Sequence, residues 1–138
     1  MKEYYTISEK KLPIIALRGL WLFPNNIQHF EVGREVSLNA LNASLLRNSE
    51  IFICTQKDPI VENITKEDFY HTGVLASIKQ TIKMPNGNVR VLVEAYDRAK
   101  IVDFVENDSF LEANVEVMEY DKTKYHPTDK SLTMIRMI

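Results

Sequence analysis

One cysteine, four glycines and three histidines among 138 residues remove several functional classes at once. Cys54 has no partner for an internal disulfide. Within the apolar run Ile51-Phe52-Ile53-Cys54 it reads as a small buried strand residue, not a reactive thiol. Gly19, Gly33, Gly73 and Gly87 are spaced too widely for a P-loop or a dinucleotide fingerprint. His29, His71 and His126 lie far apart, with no HExxH and no paired cysteines, so no metal site is predicted. Glu67 and Asp68 are adjacent, and neighbours in an extended segment point apart, which makes them a solvated loop edge. No sequence marks a nucleophile elbow. Charge is also lacking in either sign: the formal net charge is −2, the basic residues are scattered, and nucleic acid is not an expected partner. No run approaches the length of a membrane span, and Met1-Lys2-Glu3-Tyr4-Tyr5 lacks the apolar core of an export signal. A cytoplasmic location and no membrane partner are therefore expected.

What the chain does have is alternation. Hydrophobic content of 45% and charged content of 26% suit one globular domain. From Val74 to Met84 the even positions carry Val74, Ala76, Ile78, Ile82 and Met84, and after Pro85-Asn86-Gly87 the odd positions Val89, Val91, Val93 and Ala95 take over. A period of two marks half-buried strands, so residues 73–105 are predicted as a long β-hairpin. Aligning its apolar faces requires partner numbers that add to an odd total. A two-residue Asn86-Gly87 turn pairs Ile82 with Val91 and Lys79 with Glu94, but puts Pro85 where an N–H is normally needed. A four-residue loop pairs Ile82 with Val89 instead. Both registers remain open at this level.

Further strands are expected at Leu12–Leu17, Ile27–Val32, Ile51–Thr55, Ala99–Val105 after a bend at Asp97-Arg98, and Leu111–Val117. A helix is expected from Arg34 to Arg47, with Leu38, Leu41 and Leu45 inward and Asn39, Asn42 and Arg47 outward. The polar connection 57–72 would be pinned by Ile60, Val61, Ile64, Phe69 and Tyr70. The fold class is therefore mainly β with one packed α-helix (α+β): a small curled sheet or partly closed barrel. Residues 1–11 are expected to be flexible, 12–119 to form the domain, and 120–138 to be a linker and the start of a helical region. That region carries Leu132, Ile135 and Ile138 and implies a larger parent protein.

Several blocks carry a resemblance: Leu12-Pro13…Leu17-Arg18…Phe23-Pro24, Phe30-Glu31-Val32-Gly33-Arg34-Glu35, Gln56-Lys57-Asp58-Pro59, Asp68-Phe69-Tyr70-His71-Thr72-Gly73, Pro85-Asn86-Gly87 and Val93 to Ile101. In this order and spacing the chain resembles the amino-terminal domain of Lon, the ATP-dependent protease, over nearly its whole length. It departs from the family pattern at Gly19, where Asp is frequent, and at Asn25 and Ala95, where Gly is. The resemblance implies a PUA-like fold that captures unfolded or degron-bearing proteins and supports assembly with other Lon subunits into a homohexamer. It further implies a parent with an AAA+ ATPase using ATP and Mg2+ and a Ser-Lys protease domain. The residues in hand show neither a nucleotide loop nor such a dyad, so this chain is expected to bind without cutting and to need no cofactor itself.

Two sites follow as expectations. Leu20, Trp21, Leu22 and Phe23 offer an apolar surface for unfolded segments; the plainer alternative is that this loop folds inward and caps the barrel. Arg34, Glu35 and Asn39 offer polar recognition at the start of the helix, against a merely solvated helix face. The rival functions are a PUA-like RNA-binding module and a stand-alone adaptor of the same fold.

Overall fold

The runs Ile14–Leu17 and Ile51–Cys54 do not alternate, so each needs apolar surroundings on both faces of its strand. They find them by pairing in parallel at the centre of the fold. The computed structural model describes residues 4–62 and 64–120. It contains β1 (Tyr4–Leu17), β2 (Ile27–Val32), α1 (Glu35–Leu46), β3 (Glu50–Thr55), β4 (Thr72–Lys83), β5 (Val89–Val105) and β6 (Glu112–Tyr120). The sheet order is β2-β5-β4-β3-β1-β6, and β5 also pairs with β6. Five strands thus curl into a ring, with β2 attached to the first half of β5. The expected mainly β fold with one packed helix and a curled, partly closed sheet is what forms. The helical region expected beyond residue 120 lies outside the described residues.

Residues on alternate faces of the central strands serve two cores. Leu12, Ile14 and Ala16 of β1 and Phe52 and Cys54 of β3 point into the ring with Leu75, Ala99 and Val115. Ile15, Leu17, Ile51 and Ile53 face the other way, onto Ala40 and Leu41 of α1 and onto Val91 and Val93. Cys54 is the buried strand residue expected. Its Sγ lies 3.8 Å from the Ile15 carbonyl oxygen, and burial pushes its thiol pKa far up.

Several expectations are corrected. Of the stretch expected to be flexible, residues 4–11 lie in a strand: β1 begins at Tyr4 and pairs antiparallel with β6 from Tyr4↔Tyr120 to Pro13↔Glu112. An edge of backbone hydrogen bonds accepts polar side chains readily, so the polarity of this stretch did not signal disorder. The helix is rotated from the expected face. Ser37, Ala40, Leu41 and Ser44 are buried while Leu45 is exposed. Small residues let the helix approach the sheet closely, and Ser44 Oγ donates to the Glu50 carbonyl at 2.7 Å. In the connection after β3, Phe69 is fully buried and plugs one end of the ring, but Ile60 and Tyr70 are exposed. Residues 89–98 and 99–105 are not two strands: β5 runs through the expected bend as one strand of 17 residues.

The hairpin adopts neither expected register throughout. A three-residue turn closes it, with Met84 N–H bonded to the Asn88 carbonyl at 2.8 Å and Gly87 N–H to the Met84 carbonyl at 3.0 Å. Gly87 has φ +90°, a conformation glycine adopts without a Cβ penalty. Pro85 thus sits inside the turn, where its missing N–H costs no ladder bond. The turn pairs Lys83↔Val89 and Ile82↔Arg90, whereas deeper in the sheet Ile78↔Val93 and Ala76↔Ala95 pair in the odd-total register that face alignment demands. A bulge at Lys79 absorbs the one-residue difference. Beyond it the phase inverts, so Ile82 points outward and is exposed. A second bulge, at Tyr96 in β5, shifts the register again next to Leu75 and adds to the curl of the ring.

At Gly73 the backbone of β4 leaves no room for a side chain against β3. A Cβ there would lie 2.2 Å from the Ile53 carbonyl oxygen and 3.1 Å from Phe52 Cζ. Gly73→Ala is expected to destabilise the fold by about 1–3 kcal/mol through overpacking, read as a lower denaturant midpoint, while Gly87→Asn at the open turn costs less.

Candidate functional site

Parallel strands deliver their C-terminal ends to the same side of a sheet. Because Leu17 pairs with Thr55, the segment after β1 and the segment after β3 leave together and lie side by side. The first, residues 18–26, is held firmly. Thr55 Oγ1 donates to the Leu20 carbonyl at 2.9 Å. Asn25 N–H donates to the Ala95 carbonyl and Ala95 N–H to the Asn26 carbonyl, both at 2.8 Å. Asn26 Oδ1 accepts from Phe23 N–H at 2.9 Å. Asn25 has φ +73°, tolerable for Asn and easiest for Gly.

Held this way, the loop alternates. Leu22 is 8% exposed and Leu20 packs against the helix-side core. Trp21 and Phe23 are 51% and 53% exposed. The loop therefore neither folds wholly inward nor offers all four residues: Leu20 and Leu22 anchor it, and Trp21 and Phe23 face out. The Trp21 ring meets Tyr70, from the segment after β3, at 5.1 Å between centroids and 40° between planes. Trp21, Leu22, Phe23, Tyr70, His71, Thr72, Gly73 and Arg98 line a pocket of about 280 Å³. His71 is tied down, with Nε2 2.8 Å from the Lys66 carbonyl oxygen. Lys57 Nζ sits 5.8 Å from the Tyr70 ring centroid. Tyr70 and Arg98 were not legible as site residues, being far from Trp21 in sequence; only the parallel pairing and the β3–β4 junction bring them to it.

The second expected site is differently constituted. Arg34 is half-buried; Nη1 donates to Gln56 Oε1 at 3.0 Å and Nη2 to the Ala16 carbonyl at 2.9 Å. Burial, with the nearby charge of Arg18, lowers its pKa. Gln56 is itself buried, and its Nε2 donates to the carbonyls of Asp58 and Val61, both at 2.6 Å. Asn39 Nδ2 donates to the Ser109 carbonyl at 2.8 Å. Two of the three residues are thus spent on the fold, joining α1 to the strand ends and to the turn before β6. Glu35 alone is exposed, in the first turn of α1. Arg34, Glu35 and Asn39 nonetheless line one open pocket of about 550 Å³, together with Glu62, Ile64 and Phe110.

Elsewhere, two carboxylates are locked into the domain. Burial opposes the charge of Glu112, yet hydrogen bonds from Arg47 and Asn107 hold its pKa below the ordinary value, with Arg47 Nη1 at 2.9 Å. Glu50 behaves alike: burial raises its pKa, but the Tyr96 hydroxyl and Lys10 outweigh that. Burial and then Glu50 itself push the Tyr96 hydroxyl up. No group of three or more His, Cys, Asp or Glu that could hold a metal ion occurs among the described residues. Among those residues, too, no helix is long and apolar enough to cross a membrane.

A ring of strands with one helix, presenting aromatic side chains on a rigid loop, defines a β-rich binding domain. The chain belongs to the family described as the ATP-dependent protease La (LON) substrate-binding domain, whose model matches residues 11–137. It is 98% identical over 138 residues to a Lon protease of Finegoldia magna, covering 100% of this chain and 18% of that protein. It is 40% identical over 121 residues to a Lon protease of Clostridioides difficile, covering 88% of this chain and 15% of the relative. The chain thus spans less than a fifth of the length of these relatives. Among solved structures, the N-terminal domain of Mycobacterium avium complex Lon protease matches with a TM-score of 0.66 at 20% identity, covering 91% of this chain and 62% of that one. A Lon N-terminal domain protein from Xanthomonas campestris matches with a TM-score of 0.58 at 15% identity, covering 91% and 70%. At those identities the structures establish the shared fold.

Two outcomes follow from the polar contacts. Arg34→Ala leaves the buried Gln56 Oε1 and the Ala16 carbonyl short of a donor and should cost about 1–3 kcal/mol, seen in denaturant unfolding. Because the folded-state pKa values of Glu50 and Glu112 lie below their unfolded values, their stabilisation is complete above the ordinary carboxylate value of 4.5. It is lost as pH falls through the lower folded values. The thermal midpoint should drop over that acidic range, and Glu112→Gln should make the drop shallower.

Proposed function

We propose that this domain captures unfolded or degron-bearing polypeptide for an ATP-dependent serine protease that degrades misfolded and regulatory proteins, and that it does so on the ledge formed by Trp21, Phe23 and Tyr70. The observation that carries the reading is the alternation of the loop: Leu20 and Leu22 spend their apolar surface on the core, while Trp21 and Phe23 keep theirs in solvent on a backbone fixed at both ends. A folded protein buries its large apolar side chains; an unfolded one exposes them. Rigid aromatic rings can bind such side chains at small entropic cost, since little freedom remains to be lost. The pocket beside the Trp21–Tyr70 pair, of about 280 Å³, is large enough for one apolar side chain, which suits recognition of composition over recognition of one exact sequence.

In this reading the domain binds and does not cut. ATP with Mg2+, the AAA+ motor and the Ser-Lys protease domain belong to other parts of the parent protein, and neighbouring subunits of a homohexamer bring several ledges to one substrate. Weak individual contacts would then gain from multivalency.

Trp21→Ala should weaken binding of a chemically unfolded, reduced and alkylated protein by roughly fivefold to thirtyfold, as removal of an aromatic anchor worth 1–2 kcal/mol would. Fluorescence anisotropy with a labelled probe measures this. The thermal midpoint should stay nearly constant because the ring is half in solvent. A large fall in that midpoint with unaltered affinity would mean that Trp21 serves the fold and not capture.

A further inference from the structure

The pocket beside Trp21 is apolar on most sides but not neutral. Arg98 lines it, Lys57 lies over the Tyr70 ring at its rim, and no Asp or Glu is among its lining residues. The positive charge is local, since the chain as a whole carries −2. Arg98 also differs from the two arginines described above. The Arg34 guanidinium is matched by Gln56 and the Ala16 carbonyl, and that of Arg47 by Glu112. Arg98 is half-buried, and among the described residues its side chain has neither a carboxylate nor a hydrogen-bond acceptor as partner. A guanidinium offers a planar fork of donors matched to a carboxylate. Its backbone is fixed between Val74 and Met118 in the ring, so the charge is presented from a rigid strand.

We propose that this pocket reads charge as well as apolarity: it selects polypeptide segments in which a large apolar side chain stands next to Asp or Glu. The apolar group lies in the pocket beside the Trp21–Tyr70 pair, and the neighbouring carboxylate pairs with Arg98. A side-chain carboxylate is favoured over a chain-terminal one because exposed Phe23 and Tyr70 flank the pocket, leaving room for a chain to pass through it in both directions. The proposal rests on the capture reading above and adds the chemical class of segment preferred.

The test uses three labelled, otherwise identical extended peptides, each measured by anisotropy against the wild-type chain and Arg98→Gln. The first has Phe followed by Asp and an amidated end; the second replaces that Asp by Asn; the third has the Asn and a free terminal carboxylate beside a final Phe. The Asp peptide should bind about twofold to fivefold more tightly than the Asn peptide, the range of a partly exposed charge pair. That preference should shrink with added salt and vanish in Arg98→Gln, whose affinity for the Asn peptide stays unchanged. Arg98→Lys, which keeps the charge without the fork, should retain part of it and serves as the readout if Arg98→Gln fails to fold. Equal binding of the Asp and Asn peptides overturns this proposal while leaving capture standing. Persistence of the preference in Arg98→Gln overturns it as well, as does a preference seen only with the terminal carboxylate. Binding of none of the three removes the capture reading and this one together.

Discussion

The parallel pairing of β1 with β3, from Ile14↔Phe52 to Leu17↔Thr55, is the contact on which the remaining structure depends. Parallel neighbours cannot be joined by a tight turn, so the chain must cross over between them. Here the crossover is β2 and α1, which cover one face of the pair with Val32, Ala40 and Leu41. The other face is covered by the ring closing on itself through β6. Two cores therefore share one central pair of strands. The same pairing sets the geometry of the aromatic ledge, because it sends the Trp21 loop and the Tyr70 segment out at one end.

Polar residues secure that end in a way apolar packing alone would not. Gln56 is buried with its amide fully used, accepting from Arg34 and donating to two carbonyls of the following loop. Unmade, such bonds would leave buried polar atoms at a high cost. Made, they specify where the strand ends and where each loop departs. Among the described residues no buried side-chain nitrogen or oxygen lacks a partner. The loop that carries Trp21 is tied separately, by Thr55 to the Leu20 carbonyl and by Asn25 and Asn26 to Ala95.

Much of the fold was legible because period-two patterning survives in any half-buried strand. The strands at Ile27–Val32 and in the hairpin, the helix after Gly33 and the apolar runs around Ile15 and Ile53 could all be placed from their residues. What was illegible depended on partners distant in sequence. Residues 4–11 looked loose because they pair through the backbone with β6, far along the chain, and such pairing asks for no apolar pattern. The helix face was misjudged because Ser37 and Ser44 are buried for closeness of approach, which leucine spacing does not express. At the site, the aromatic loop could be picked out, but which of its four residues face outward was set by Thr55, Ala95 and Asn26. Tyr70 and Arg98 could only be found once the sheet was closed, and so could the contacts that Arg34 and Asn39 make across the fold.

The bulge at Lys79 gives the hairpin a spare residue. The tip obeys the register of its turn and the base obeys the register of the ring, and Lys79 is the single position by which the two differ. Loss of one residue from that arm of β4 could be absorbed by flattening the bulge, with the pairing of Ile78 to Val93 and everything nearer the ring left in frame. The hairpin can thus change length over evolutionary time at its outer half while the aromatic ledge, built on the far side of the same strands, keeps its shape.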